Sequence, residues 1–538
     1  MSKKILNEGG IHRAKTWEMA FYALNDVSTN LYMMLMASIS YYLNGIVGVA
    51  VVLAGSIVTI MRVWDGVTDP VVGFLVDKTN GKFGKNRPFI VIGQVIMFVS
   101  TFIMFRILPA IPESFRFVIF VLLYMVYIIG YTAQCVVTKS AQSCITNDPK
   151  QRPLFSMFQA SFNVFLMSLF YPVYLSETLV PKFTLTSANA ADKINALIAQ
   201  NPGLQKVVTV SEDGITTLSA FYNPEMWQYM QMVFGGLSAV FAVLAIIGLW
   251  RKDRPEYFGV GKAVKVGLKD YADVLKNNRA IQMLVISAGS DKLAMQCTSN
   301  MTVTVCLFGV LCGNYSYNAS NSALTAIPIV LFSVCGIGAI ARKLGQKRCL
   351  VVGSTGAIVC AALIAALFIF GNPLSMKLPV FSLTNLSTWG GLFSADNWSF
   401  FGVAFVVLFI CMKGFGNLSG SIVTPMTADC ADYETYRSGR YVPGLMGTLF
   451  SFVDKIISSL GSTIVALVFA VIGFKDALPT IETPASGAIL GATLFCYLGM
   501  PAIGWVLNLV AMKFYPLTKE KMEEIQDEIA KIKAEASH

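Results

Sequence analysis

Met61-Arg-Val-Trp-Asp-Gly-Val-Thr-Asp-Pro70 interrupts an apolar run over residues 46–76, and the fold turns on how these charges are read. A run of that length crosses a bilayer as a helix. Helical spacing then puts Arg62, Asp65 and Asp69 on one face, with Thr68 beside them. Each ionisable group at membrane depth costs at least ~2.5–3.5 kcal/mol on insertion scales, so such groups face partners or a water-filled path. Two carboxylates and a hydroxyl make an oxygen-rich cage for a hard monovalent cation, or for a proton shared between crowded carboxylates. The bland alternative is that Arg62 neutralises one aspartate and the motif only locks helix packing.

Reading outward, 55% of the 538 residues are hydrophobic and 13% charged, where soluble domains carry about a quarter charged. Twelve apolar segments follow: 17–43, 46–76, 88–110, 115–146, 154–179 and 226–250, then 280–312, 319–341, 349–371, 399–424, 446–474 and 488–514. The reading is an all-α membrane protein of two six-helix halves, 1–250 and 280–514. A central loop, 251–279, separates the halves, and a charged amphipathic helix, 515–538, ends the chain. Insertions at 181–224 and 372–397 exceed what a helix hairpin needs, and each is either a small cap or a mobile loop. Glycine-containing segments entering short basic loops at Gly73–Arg87 and Gly336–Arg348 echo each other, as a transporter built from repeats requires.

Lysine and arginine number 29 on one side of this topology and 7 on the other, which predicts both termini in the cytoplasm of a multi-pass protein of the cell (inner) membrane. The net charge of +10 is therefore topological, and nucleic-acid binding is excluded. No signal for cleavage follows the polar start, Met1–Lys15. The eleven cysteines show no metal spacing, and the two histidines are His12 and His538. An enzyme is not expected, since neither HExxH nor a nucleophile motif is present, and no cofactor is expected.

Arg62-Val-Trp-Asp-Gly-Val-Thr-Asp-Pro70, continuing through Gly73, Asp77, Gly84, Lys85, Arg87 and Pro88, resembles the signature of the glycoside–pentoside–hexuronide:cation symporters of the major facilitator superfamily, the group that contains the melibiose permease. Ala428-Asp-Cys-Ala-Asp-Tyr-Glu434, then Gly439, Arg440, Gly444, Ser451, Phe452 and Lys455, resembles that family's acidic loop between the tenth and eleventh helices. The likeness also takes in Asn25, Asp26 and Asn30 of the first helix and Tyr131-Thr132 of the fourth.

The resemblance implies a major facilitator fold, cation-coupled uptake of a sugar, glycoside or uronide by alternating access, and a monomer. It implies that Asp65, Asp69, Thr68 and Thr132 hold sodium, lithium or a proton, with Lys455 nearby. The solute would meet Asp26, Thr29, Asn30 and the fourth helix. There the pattern breaks: Cys135 stands where a sugar-binding aspartate is expected, and Lys139 where an aromatic is expected. A lysine there favours an anionic solute; equally, Lys139 can pair with Asp26 or reach the cytoplasmic interface. Arg62, Asp291, Lys292, Lys413 and Asp454 complete a set of five acids and five bases at membrane depth, for which mutual pairing is the simplest use. A lipid, lysolipid or other organic-anion carrier on the same scaffold is the alternative.

Overall fold

The computed structural model describes residues 13–79, 81–146, 152–210, 214–254, 276–336, 345–381, 386–438, 443–518, 520–522, 524, 525 and 528. Among them helix occupies twelve long segments. In the N-terminal half, α1 runs Thr16–Ala37 and on through Ile39–Tyr42 and Leu43–Val47. It is followed by α2 (Val51–Lys78), α3 (Arg87–Phe102, continuing to Ala110), α4 (Glu113–Ser140), α5 (Arg152–Val164, continuing to Phe183) and α6 (Pro224–Leu249). In the C-terminal half, α7 (Arg279–Thr298, then Met301–Leu311) bends by 53°. Then come α8 (Ser316–Gly336), α9 (Gln346–Phe370), α10 (Phe400–Ser438), α11 (Pro443–Val471) and α12 (Gly487–Leu494, continuing to Phe514).

The twelve helices follow the apolar segments, with one correction. The acidic stretch Ala428–Glu434, expected as a loop, is helical, because α10 continues to Ser438 over 39 residues. Its Glu434 carboxylate is buried between Arg437, at 2.8 Å, and the Asn278 side-chain amide, at 2.9 Å. Those partners hold the extra turns, so a charged sequence persists as helix beyond the apolar run.

Two compact units result, Met1–Lys262 with Phe381–Asn385 and Gly473–Thr483, and Ala263–Val380 with Leu386–Ile472 and Pro484–His538. In the first, α1 packs along α6 and α5, and α4 along α3 and α2. Helices in lipid associate by close backbone approach and interhelical hydrogen bonds. Both are visible here. A Cβ on Gly93 of α3 would lie 2.7 Å from the Gly130 carbonyl of α4, so only glycine permits that crossing. A buried network joins three helices: Ser28 and Ser238 hydroxyls lie 2.7 Å apart, Ser238 donates to Gln94, and the Gln94 and Tyr32 side chains meet at 3.3 Å. Asn25 and Tyr22 of α1 add bonds to Thr138 and Val137 of α4.

The 181–224 insertion is a folded cap. Strands β1 (Leu185–Thr186), β2 (Thr209–Val210) and β3 (Thr216–Leu218) form an antiparallel sheet in the order β1-β3-β2, with Leu185 opposite Leu218 and Thr209 opposite Thr217. A cap helix, Ser187–Gln200, starts at a capping box between Thr186 and Asn189.

In the second unit α9 packs along α10 and α12, and α7 along α12 and α11. Asn508 of α12 is its polar hub, accepting from Ser287 of α7 at 2.9 Å and donating to Ser354 of α9 at 3.3 Å. Beyond α12, Ile525 is buried in this unit's apolar core with Met522 packed against it, so the described part of the expected amphipathic helix turns an apolar side to the protein. The second basic echo, at Gly336–Arg348, falls largely outside the described residues.

Past α6, Asp253 is fully buried and accepts from the backbone amides of Lys85, Asn86 and Arg87 at 2.9–3.1 Å and from the Asn86 side chain at 2.9 Å. These amides open α3, so one carboxylate satisfies the donors a helix start leaves bare. Gly84 reaches this turn with φ +92°, and a Cβ there would collide with Asp253. Asp253→Ala should cost about 3 kcal/mol or more, since several buried donors lose their acceptor at once. A thermal-unfolding midpoint lowered by several degrees in purified protein is the expected outcome, with Asp253→Asn intermediate.

Candidate functional site

The α2 helix carries opposed faces. Ile60, Val63, Val67, Val71 and Phe74 form one stripe, each at least 44% exposed, as a lipid-facing surface must be. Asp65 and Thr68 lie on the other side, at 4% and 6% exposure, with Arg62 and Asp69 half-buried beside them. Helical spacing thus turns the polar residues toward α4 while the valines stay in lipid.

There they meet Thr132, which is fully buried. Its hydroxyl donates to the Asp65 carboxylate at 2.9 Å and lies 3.1 Å from the Thr68 hydroxyl, while Thr68 also reaches the Asp65 carbonyl at 3.0 Å. Three of the four residues expected at a cation site therefore converge, on two helices, in one oxygen-lined spot. Asp69 lies one turn along α2. Among the described residues there is no cluster of three or more His, Cys, Asp or Glu side chains fit for a transition metal. The donors are hard oxygens, which suit an alkali cation or a proton.

Arg62 stands within electrostatic reach of Asp65 and of three α4 tyrosines, Tyr124, Tyr127 and Tyr131. These follow helical spacing, with Tyr127 stacked on Tyr131 at 6.2 Å between ring centres. Cys135 is half-buried, one turn beyond Tyr131, and is in contact with that phenol. The Lys139 side chain lies outside the described residues, as does that of Asp454.

A second cluster lies on α1 and α5. Asn163 donates to the Asp26 carboxylate at 2.7 Å, and Asn30 donates to Asp26 at 3.2 Å and to the Asn163 carbonyl oxygen at 2.7 Å. Asp26 and Asn30 were legible in the sequence; Asn163 was not. Its only signal is a carboxamide inside the apolar helix that follows Arg152. Thr29 turns its hydroxyl back to the Asp26 carbonyl at 2.8 Å and is buried, so it seals α1 rather than facing this cluster.

In the second unit, Asp291 accepts from Ser419 at 3.3 Å, faces Asn508 and lies near Lys292. Lys455 is half-buried on α11. The expectation of mutual pairing fails at Lys413. Among the described residues nothing ion-pairs or hydrogen-bonds with this lysine, whose ammonium lies over the Phe409 ring at 5.7 Å. Asp291, on α7, which packs against α10, instead has Ser419, Asn508 and Lys292 about it.

Residues 21–519 match a family model described as MFS/sugar transport protein. The chain is 24% identical over 517 residues to a glucuronide carrier protein homolog of Escherichia coli (strain K12), covering 94% of each chain. It is 19% identical over 522 residues to an isoprimeverose transporter of Lactiplantibacillus pentosus, covering 95% of this chain and 91% of that one. Among solved structures, the nucleoside transporter NupG aligns with a TM-score of 0.55 at 12% identity, over 93% of this chain and 100% of that chain, which shows a shared fold. A match that runs from α1 to beyond α12, on a chain whose α2 and α10 motifs already resemble one group of symporters, makes this protein a member of the MFS/sugar transport protein family.

Proposed function

We propose that the protein is a symporter coupling the downhill entry of sodium, lithium or a proton to uptake of a sugar-like solute. The observation that carries this reading is the buried meeting of Asp65, Thr68 and Thr132, where a carboxylate and two hydroxyls converge at membrane depth. A carboxylate in that setting has a use when it binds and releases a cation in each cycle. Alternating access then needs only that the loaded and empty states differ in stability. The excess of basic residues on one side of the topology supports cytoplasmic termini in the cell membrane.

Asp26, Asn30 and Asn163 supply one carboxylate and two carboxamides, a donor and acceptor set suited to sugar hydroxyls. The relatives named above, a glucuronide carrier homolog and an isoprimeverose transporter, support a carbohydrate as the solute. Lys413 favours a uronide over a neutral glycoside, because an ammonium at membrane depth that has no anionic partner among the described residues is well matched by a carboxylate on the cargo.

In proteoliposomes, Asp65→Asn should lower accumulation driven by an imposed sodium or proton gradient at least tenfold without shifting the thermal midpoint. Unchanged accumulation in both Asp65→Asn and Asp69→Asn would remove the cation site from α2. Asn163→Leu should raise the solute KM about tenfold or more, the loss expected for a hydrogen bond to a charged group, while the cation concentration giving half-maximal rate stays put. Lys413→Met should depress uptake of a uronide and spare a neutral glycoside; equal effects on both would leave the neutral sugar as solute.

A further inference from the structure

Residues 473–483 follow α11 in the chain but fold as part of the N-terminal unit. Six hydrogen bonds among the described residues hold this strap. Tyr41 donates to the Pro479 carbonyl at 2.8 Å, Asn44 to the Asp476 carbonyl at 2.8 Å, and the Val51 amide to the Lys475 carbonyl at 3.3 Å. The Leu478 amide donates to the Tyr222 hydroxyl at 2.9 Å and to the Asn44 carbonyl oxygen at 3.4 Å, and that hydroxyl lies 3.1 Å from the Leu478 carbonyl. Leu478 and Thr480 are buried beneath it, and Tyr41 and Tyr222 are fully buried.

A turn then brings in Glu482. The Thr483 amide donates to the Thr480 carbonyl at 3.1 Å, and the Thr480 amide to the Thr483 hydroxyl at 2.9 Å, so Glu482 is carried between two pinned neighbours. Both of its carboxyl oxygens are shielded from solvent, and among the described residues neither has a hydrogen-bond partner. The buried hydroxyls of Thr480 and Ser219 face it as weak donors and, among the described residues, have no other partner. The groups that act on Glu482 are these two hydroxyls and its own backbone amide; no charged side chain is among them. The strap's own charged residues, Lys475 and Asp476, are exposed, and among the described residues that hydrogen-bond to the strap the titratable ones are Tyr41 and Tyr222, whose groups are phenols. An ionised carboxylate in such a place costs several kcal/mol, on the order of a buried charge with no counter-ion, whereas a neutral carboxyl costs far less.

We propose that Glu482 is a proton-binding site that operates the strap: the segment docks with Glu482 as the neutral acid, and ionisation of Glu482 releases it from Tyr41, Asn44 and Tyr222. Burial raises the affinity of Glu482 for its proton above the ordinary glutamate value of 4.5. The sign follows from linkage. Docking is fully favoured where Glu482 is protonated in both forms, weakens as pH rises above the ordinary glutamate range, and stops weakening once the docked carboxyl also ionises. Within that window the ratio of docked to released strap falls about tenfold per pH unit. The two hydroxyls, Thr480 of the strap and Ser219 facing it, can each turn to accept from a protonated carboxyl or donate to an ionised one.

Hydrogen exchange of the full-length protein in lipid nanodiscs, followed by mass spectrometry of the peptide covering 473–483, tests this. After correction for intrinsic exchange, wild-type protection should fall at least tenfold between pH 5 and pH 8. Glu482→Gln should hold the pH 5 level of protection at both values, and Glu482→Met should also be flat. Tyr222→Phe should lower protection at both pH values while keeping the wild-type slope. PH-independent protection in the wild type would overturn the proposal, as would an unchanged slope in both Glu482 variants.

Discussion

A polar group placed in hydrocarbon finds no water, so every donor, acceptor and charge within these helices has to be answered by the protein itself. That requirement organises the molecule more than apolar packing does, because lipid is as apolar as leucine and gives helices little reason to associate. In the N-terminal unit the Ser28–Ser238–Gln94–Tyr32 network answers it for α1, α3 and α6, and Asn25 and Tyr22 tie α1 to α4. In the other unit Asn508 joins α7, α9 and α12 in the same way. These bonds fix the rotation of each helix about its axis. Asp26 faces Asn163 because its neighbours Asn25 and Ser28 are committed elsewhere, and Asp65 faces Thr132 because the valines of α2 are committed to lipid.

The same rule makes the candidate cation site intelligible. Thr132 donates to the Asp65 carboxylate and lies against the Thr68 hydroxyl, which itself donates to the Asp65 backbone carbonyl, so hydroxyls from two helices orient the carboxylate. Arg62 stands within electrostatic reach of Asp65 and of Tyr124, Tyr127 and Tyr131.

How much of this could be read in the sequence followed from the range of the interactions. The twelve helices were legible because hydrophobic runs are local, and Asp65, Thr68 and Asp69 were legible because their spacing along one helix is local too. Thr132 came from resemblance, since nothing in α4 alone marks it. Asn163 escaped because an asparagine in a helix is ordinary until Asp26, 137 residues away, is seen beside it. The length of α10 escaped because its last turns rest on Asn278 and Arg437 rather than on apolar periodicity. Lys413 was counted into a set of pairs by charge arithmetic, which knows nothing of direction.

The strap carries a consequence for what counts as half of this molecule. Cutting the chain at Lys262 looks like dividing it between two equal six-helix repeats, but the first piece would then lack 473–483. Tyr41, Asn44 and Tyr222 would be left with polar atoms facing an empty groove, and the leucine and threonine that fill it would remain on the other fragment. The repeat boundary written in the gene order is thus not a boundary of folding autonomy: the N-terminal unit is completed only after the ribosome has made nearly the whole chain.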